Sequence, residues 1–146
     1  MKKLILIIAL IAVAVLPMAA RDKVTRDINR LPATAQTTIR NYFGKKAINH
    51  IKIDKKTFGG ADYDVIFNDG TEIDFDSDGN WTEIDCGTRS VPDGLVLRPI
   101  RNYVKANFGG KKIVSIEVSR NKYEIELSNG VELEFDRSGN FKRADH

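Results

Sequence analysis

An internal sequence match constrains the fold of this chain more than any other feature. Residues 63–81, YDVIFNDGTEIDFDSDGNW, align without a gap with residues 123–141, YEIELSNGVELEFDRSGNF. Upstream, residues 39–53 align with residues 104–118 after a short shift. Similarity at a fixed spacing within one chain is typical of a structural unit that has been duplicated. The match therefore predicts two similar units in tandem.

The two units account for nearly all of the chain after its first thirty residues. We predict that repeat 1 spans residues 31–88 and repeat 2 spans residues 89–146, with a lead-in at residues 21–30. The first copy carries an insertion, KKTFGG, around residues 55–60. Because a chain of this length supports one hydrophobic core, we expect the two units to share a sheet in one compact domain.

Each unit is predicted to begin with an amphipathic helix. Apolar residues recur at positions i, i+4 and i+8, as Ala35, Ile39 and Phe43 in the first unit and as Ile100, Val104 and Phe108 in the second. This spacing places them on one side of a helix. Gly44 and Gly109 then end the two helices, since glycine is favoured just beyond a helix C-terminus.

Four short strands are predicted to follow each helix. In residues 63–67 and 71–75, and again in residues 123–127 and 131–135, apolar residues largely alternate with acidic ones. This period of two indicates antiparallel strands with one buried face, and turns that end in glycine join the strands of each pair. The fold class is therefore predicted to be α+β, with the helices on one face of the sheet and the other face left to water.

The first twenty residues, MKKLILIIALIAVAVLPMAA, are predicted to be a signal peptide. Two lysines precede a long apolar run that ends in small residues, which is the usual order of charge, apolar core and cleavage site. We expect cleavage after Ala20, and hence a periplasmic or secreted protein with no membrane span after cleavage. A transmembrane anchor is the alternative, but the run from Leu4 to Leu16 is short for a span of about 20 residues.

The charge balance argues against nucleic acid as a partner. The whole chain has 23 basic and 20 acidic residues, and loss of the leader removes two lysines and no acid, which leaves a net charge of +1. Nucleic-acid-binding domains typically carry a strong basic excess. We therefore expect no nucleic-acid partner.

The alternating acidic residues predict one strongly acidic face. If the two units join edge to edge, one face of the sheet carries the carboxylates of Asp64, Glu72, Asp74, Glu124, Glu126, Glu132 and Glu134. Like charges directly opposite each other on neighbouring strands are destabilising. We therefore predict that this face docks a partner, namely an envelope protein or peptide with a basic surface. The alternative is that the charge serves only solubility.

A second candidate site is the stretch DFDSDGNW, in which Asp74, Asp76 and Asp78 resemble the start of a calcium-binding loop. Position 12 of such a loop is Asp85 rather than glutamate, and the flanking residues alternate like strands instead of forming helices. The second copy, EFDRSGNF, keeps Asp136 and the glycine but lacks the aspartate at the tip, which favours a hairpin turn. A weak calcium site, and with it a metal-responsive protein, is the alternative function.

Combinations of residues typical of catalysis are nearly absent. The chain has two histidines, His50 and His146, and one cysteine, Cys86. A Cys86–His50 nucleophile pair is one interpretation, but a buried thiol and an exposed imidazole are the simpler one. Alternatively, Cys86 pairs with a second chain. We expect no enzymatic activity and no cofactor.

Taken together, these residues resemble the PepSY-like family of exported bacterial proteins, which is related in fold to the beta-lactamase-inhibitor protein. The resemblance rests on the leader, on a Leu-Pro before a helix that ends in NYFG, and on the segments DGTEIDFDSDGNWTEID, IRNYVKANFGGKKIVSIEV and YEIELSNGVELEFDRSGNF. It extends from about Leu31 to the C-terminus.

The resemblance implies a fold and a location more than an activity. A family member is expected to form two tandem units in a curved, eight-stranded antiparallel sheet, in the periplasm of a bacterium with two membranes. The resemblance implies no enzyme activity. By analogy with the inhibitor fold, it implies that the sheet face away from the helices is the binding surface.

Overall fold

Nine strands and two α-helices make up residues 22–146, which are the residues that the computed structural model describes; the predicted signal peptide lies outside them. The helices are α1 (Ala33–Phe43) and α2 (Arg98–Asn107), and neither has the length and apolar content to cross a membrane. The strands are β1 (Asp22–Thr25), β2 (Ile48–Lys55), β3 (Ala61–Phe67), β4 (Glu72–Phe75), β5 (Trp81–Asp85), β6 (Ile113–Val118), β7 (Lys122–Leu127), β8 (Glu132–Asp136) and β9 (Phe141–Asp145).

The strands follow one another across the sheet in chain order, each antiparallel to the next. The α+β class is confirmed, but the prediction of eight strands is wrong because the lead-in contributes a ninth. Val24 of β1 lies opposite Lys52 of β2, and Thr25 lies opposite Ile51. Four residues are too few to display a reliable alternation, so β1 is recognisable as a strand only from its pairing with the edge of β2.

The core lies between the helices and one face of the sheet. α1 buries Ala35, Ile39 and Phe43, as the helical spacing predicts. The ring of Phe43 stacks on that of Phe67 in β3, with 5.8 Å between the ring centroids. This contact holds α1 against the first strands of the sheet.

α2 packs on the later strands in a similar way. It buries Ile100 and Val104, whereas Phe108 lies one residue beyond the end of the helix and is half-buried. The ring of Tyr103 meets that of Phe135 in β8 edge to face, at 5.5 Å between centroids. Aromatic pairs favour this geometry, so Tyr103 anchors α2 to the sheet.

Two tight turns lie beneath the starts of the helices. Gly79, between β4 and β5, has a φ of +87°, and a Cβ on it would lie 2.8 Å from Pro32 Cβ and 3.0 Å from the backbone nitrogen of Ala35. Gly139, between β8 and β9, has a φ of +90°, and its Cβ would lie 2.9 Å from Pro99 Cβ. Glycine satisfies both the left-handed backbone and the close approach. These turns therefore set how near each helix sits to the sheet.

Candidate functional site

Strand alternation places the acidic residues on the sheet face opposite the helices. In β4, Ile73 and Phe75 are buried in the core, whereas Glu72 and Asp74 point to the other face. Every glutamate of the chain lies on that face: Glu72, Glu83, Glu117, Glu124, Glu126, Glu132 and Glu134. Together with Asp64, Asp74 and Asp85 they form the surface that we call the acidic face.

Six of these carboxylates form one row across the sheet, which we call the central row. The register places each directly opposite the next on the neighbouring strand, in the order Asp64, Asp74, Glu83, Glu117, Glu124 and Glu134. Opposite Cβ atoms on paired strands are about 4.5–5.5 Å apart. The row is flanked by cations, since Lys52 lies opposite Asp64 and Arg143 lies opposite Glu134.

The structure brings all seven predicted partner-binding residues together on the acidic face, and it adds residues that the sequence reasoning missed. Glu83 of β5 and Glu117 of β6 lie opposite each other and complete the central row. Asp85 extends the face beside Glu72. The alternation in TEID and SIEV places Glu83 and Glu117 on the polar side of their strands. It does not predict that they lie opposite each other, because β5 and β6 are about thirty positions apart in the chain.

Cations compensate one side of the central row. Lys122 Nζ lies 2.5 Å from Glu124 Oε1 and 3.2 Å from Glu134 Oε2, and Arg143 Nε lies 3.3 Å from the same Glu134 oxygen. The hydrogen bond that Lys122 donates is the main reason why the pKa of Glu134 lies below its usual value. Within residues 22–146, the four members of the row on β3 to β6 form no ion pair.

Burial and like charges alter the protonation of these uncompensated carboxylates. The pKa of Asp74 is raised to about 7, first by partial burial and then by the negative charges of Asp64 and Glu72. Its Oδ1 is buried and accepts no hydrogen bond from the described residues. The pKa of Glu83 is also raised, by burial and then by Glu117 opposite it. Near neutral pH, this part of the acidic face is therefore poised to take up a proton or a cationic group.

A shallow groove of about 130 Å³ lies on the acidic face over β5 to β8. It is lined by Glu83, Ser115, Glu117, Glu124, Ile125, Glu126 and Glu132. Ionised carboxylates only accept hydrogen bonds, and their bonds to ammonium and guanidinium groups are among the strongest in proteins. The groove can therefore hold a lysine or arginine side chain.

The stretch from Asp74 to Asp78 runs from the end of β4 into a hairpin turn, and its three carboxylates have different surroundings. Asp74 lies on the acidic face. Asp76 Oδ1 accepts hydrogen bonds from the backbone N–H groups of Asp78, at 3.0 Å, and of Asn80, at 2.9 Å. Asp78 is exposed at the tip. Across residues 22–146, no three His, Cys, Asp or Glu side chains are arranged to hold a metal ion.

The turn between β8 and β9 is built in the same way without an aspartate at its tip. Asp136 Oδ1 accepts hydrogen bonds from the backbone N–H groups of Ser138 and Asn140, both at 2.9 Å. These bonds, with that from the Asn140 side chain, lower the pKa of Asp136. The aspartate at this position therefore stabilises the turn in both hairpins.

Cys86 and His50 do not form a nucleophile pair. Cys86 is 2% exposed within the core on the helix side, and burial raises the pKa of its thiol. His50 lies opposite Ile66 in the sheet, and its Nδ1 is 2.7 Å from Asn49 Oδ1. Since neighbouring residues of a strand point to opposite faces, the imidazole points away from the core that holds Cys86.

One protein-family model matches this chain over residues 61–143, more than half of its length and the part that contains the whole acidic face. The family is described as "Putative beta-lactamase-inhibitor-like, PepSY-like". Among functionally curated proteins, none matches the chain.

The structure and the sequence of this chain resemble those of three proteins whose crystal structures are known. A "putative periplasmic protein of unknown function" from Bacteroides vulgatus is 43% identical, with a TM-score of 0.79 over 86% of this chain and 99% of that chain. A second "putative periplasmic protein" from B. vulgatus is 37% identical, with a TM-score of 0.79 over 86% and 97%. A "putative calcium-regulated periplasmic protein" from Bacteroides thetaiotaomicron is 34% identical, with a TM-score of 0.81 over 88% and 99%.

Proposed function

Since this chain belongs to the PepSY-like, beta-lactamase-inhibitor-like family, we propose that it is a non-enzymatic periplasmic module that binds a basic protein or peptide on its acidic face. The periplasmic location is supported by the predicted signal peptide and by three relatives described as periplasmic.

The observation that carries this proposal is the uncompensated part of the central row. Four carboxylates, Asp64, Asp74, Glu83 and Glu117, follow one another on adjacent strands and form no ion pair within residues 22–146. Like charges at such positions cost stability. A partner that supplies cations relieves this repulsion on binding. Solubility alone does not require the carboxylates to lie directly opposite one another.

The spacing of the row defines the partner's chemistry. Four carboxylates on adjacent strands span about 14 Å, because neighbouring strands lie about 4.8 Å apart. An extended segment that crosses the strands places side chains i and i+4 about 14 Å apart on one side. A segment with lysine or arginine at positions i, i+2 and i+4 therefore matches the row in length and charge.

Direct titration of the mature chain with defined peptides tests the proposal. We expect a fluorescently labelled KTKTKTKTK peptide to bind and an ETETETETE peptide not to bind. The double variant Glu83→Gln, Glu117→Gln keeps the side-chain shapes and removes two charges. We expect it to weaken binding by about tenfold or more, since a hydrogen bond to a charged group is worth about 1.5–3 kcal/mol, and to reduce the dependence of affinity on salt.

The matched control removes two charges outside the acidic face. Asp78→Asn with Asp93→Asn changes exposed carboxylates of the β4–β5 turn and of the 3₁₀ turn before α2. We expect this variant to bind the lysine peptide as the parent does. Equal loss in both double variants, or unchanged affinity in the Glu83, Glu117 variant, would contradict docking on the central row.

The duplication inferred from the sequence match forms part of this proposal. α1 precedes β2 to β5, and α2 precedes β6 to β9. The two β-turns with Gly79 and Gly139 use equivalent aspartate hydrogen bonds and equivalent contacts with a proline near each helix start. We interpret the acidic face as two copies of one surface joined at β5 and β6.

Calcium binding is the second candidate function, favoured by the relative described as "putative calcium-regulated". A site built from Asp74, Asp76 and Asp78 requires the turn to rearrange, because the three side chains are not arranged to hold a metal ion and Asp76 Oδ1 already accepts two backbone hydrogen bonds. Thermal unfolding with calcium and with a chelator tests it. A calcium-dependent rise in Tm that disappears in Asp78→Ala supports the turn site, whereas a rise that disappears only in the Glu83, Glu117 double variant places the ion on the acidic face.

A further inference from the structure

A polar cavity of about 680 Å³ lies on the helix side of the sheet, away from the acidic face. Its lining includes Thr34 of α1 and two arginines, Arg120 and Arg137, from the β6–β7 and β8–β9 turns. Trp81 of β5 and Tyr123 of β7 also line it, and both are half-buried. Its volume is within the range of about 300–1,000 Å³ that is typical of small-ligand sites.

Arg137 is held in place before any ligand arrives. Its Nη1 donates a hydrogen bond to the carbonyl oxygen of Ser119 at 2.8 Å and a longer one to that of Arg120 at 3.4 Å. Its guanidinium carbon lies 5.3 Å from the centroid of the Tyr123 ring, which is within the distance of a cation–π interaction. A guanidinium fixed by its backbone bonds and by an aromatic ring loses little entropy when it binds an anion.

The charge of the cavity matches an anion with a single charge. Arg120 and Arg137 form no ion pair within residues 22–146. Asp76 also lines the cavity, and its Oδ1 is engaged by the backbone N–H groups of its own turn. Two guanidinium groups and one carboxylate leave a net charge of about +1, which suits a carboxylate better than a doubly charged phosphate.

We propose that this cavity binds a carboxylate whose neighbouring group is aromatic or apolar. The planar guanidinium of Arg137 binds the two carboxylate oxygens, and Arg120, which also lines the cavity, adds a second positive charge. The rings of Trp81 and Tyr123 contact the apolar part of the ligand. Two sources share this chemistry: the carboxyl terminus of a peptide that ends in an apolar residue, and a free small aromatic acid.

Trp81 is the only tryptophan of the chain and lines this cavity, so its fluorescence can report ligand binding there. The probes are N-acetyl-Gly-Gly-Phe with a free carboxylate, the same peptide as its amide, and hydrocinnamic acid. We expect the free-acid peptide to change the Trp81 emission in a saturable way, and the amide to bind at least about tenfold more weakly, since it lacks the charge. Calorimetry of the same titrations detects binding that leaves the emission unchanged.

The relative affinities of the free-acid peptide and of hydrocinnamic acid distinguish a peptide terminus from a small free acid as the ligand. Tighter binding of the peptide than of hydrocinnamic acid indicates a peptide terminus, and equal or weaker binding of the peptide indicates a free acid. Equal affinity of the peptide acid and its amide would overturn the proposal, as would the absence of both an emission change and heat at millimolar ligand.

Variants locate the binding groups. We expect Arg137→Gln to lower the affinity for the acid by about tenfold or more, with Arg120→Gln as a second variant should the first be unstable. Arg98→Gln, an exposed residue of α2 outside the cavity, is the matched control. The Glu83, Glu117 double variant should leave acid binding unchanged, which separates this site from the acidic face. Unchanged affinity in both cavity variants would contradict the assignment.

Discussion

Asp64 of β3 and Asp74 of β4 lie directly opposite each other on the acidic face, and the pKa of Asp74 is raised to about 7. The pair lies in the part of the central row that has no ion pair within residues 22–146. A buried oxygen of Asp74 also lacks a donor from the same residues. Stability and protonation are therefore coupled at this position, and the proposed partner binding would be coupled to both.

The first prediction concerns Asp74 and pH. An unfolded aspartate titrates near 3.8, so between about pH 4 and 7 the folded protein binds the Asp74 proton more tightly than the unfolded chain does. The free energy of unfolding should therefore decrease as pH rises through this window and level off above it. In Asp74→Asn the part of this loss that is due to Asp74 should be absent. The variant should gain stability relative to the parent, from nothing near pH 4 to about 1–2 kcal/mol near pH 7.5, after allowance for solvent screening.

Urea denaturation of both proteins between about pH 4 and 8 measures this difference. Asp78→Asn is the control, because Asp78 is exposed at the turn tip, and this variant should keep the loss of stability with rising pH that the parent shows. If the difference in the free energy of unfolding between Asp74→Asn and the parent did not change with pH, Asp74 would have the same pKa in the folded and unfolded states, which would contradict the prediction.

The second prediction is that charge reversal within the central row stabilises the fold. Glu117 lies between Glu83 and Glu124. Glu117→Lys replaces two repulsive pairs with attractive ones and should raise the free energy of unfolding by about 0.5–1 kcal/mol. Because these groups are accessible to ions, the gain should shrink in about 1 M NaCl, where the Debye length is about 3 Å. Denaturation at low and high salt measures both effects.

Thr88→Lys adds a positive charge at an exposed position outside the acidic face and serves as the control. A similar gain in this variant would attribute the effect to net charge instead of to the row. The same Glu117→Lys protein should also lose affinity for the KTKTKTKTK peptide, because the carboxylates that destabilise the fold are the ones proposed to bind the peptide's lysines.

The third prediction separates two reasons for glycine in the turns. Gly70 and Gly79 have similar φ angles, +90° and +87°, but a Cβ on Gly70 would have open space, whereas one on Gly79 would meet Pro32 and Ala35. Gly70→Ala should cost about 1–2 kcal/mol for the left-handed backbone. Gly79→Ala should cost about 1–3 kcal/mol more, because the start of α1 has to move. Denaturant titration of both variants tests this, and equal losses would mean that the turn does not set the position of the helix.

The fourth prediction concerns Cys86. The residue is 2% exposed and burial raises the pKa of its thiol. Reaction with Ellman's reagent requires an accessible thiolate. The native thiol should therefore react at least about 100-fold more slowly than the thiol of the urea-unfolded chain. The protein should also run as a monomer on a non-reducing gel. Ser90→Cys in a Cys86→Val background introduces an exposed thiol as the control. Rapid reaction of native Cys86, or a disulfide-linked dimer, would contradict its burial.

Local patterns in the sequence determined the helices, the paired strands and the hairpin turns of this protein. Helical spacing identified the buried faces of α1 and α2, and period two identified the paired strands and the side on which Asp64, Glu72 and Glu124 lie. Turn glycines identified the hairpins. These features could be predicted because each depends on residues within a few positions of one another, where backbone geometry decides which side chains share a face.

Only the tertiary structure decided which of these local elements meet. β1 became a ninth strand because the edge of β2 pairs with it. The central row became continuous because β5 pairs with β6 across the intervening α2 and brings Glu83 opposite Glu117. The cavity beside Trp81 brings together residues distant in the chain, because Arg137, which lines it, reaches back to the β6–β7 turn. Contacts between distant residues carry no local periodicity, so the register of the folded sheet, and not the pattern of any one segment, determined them.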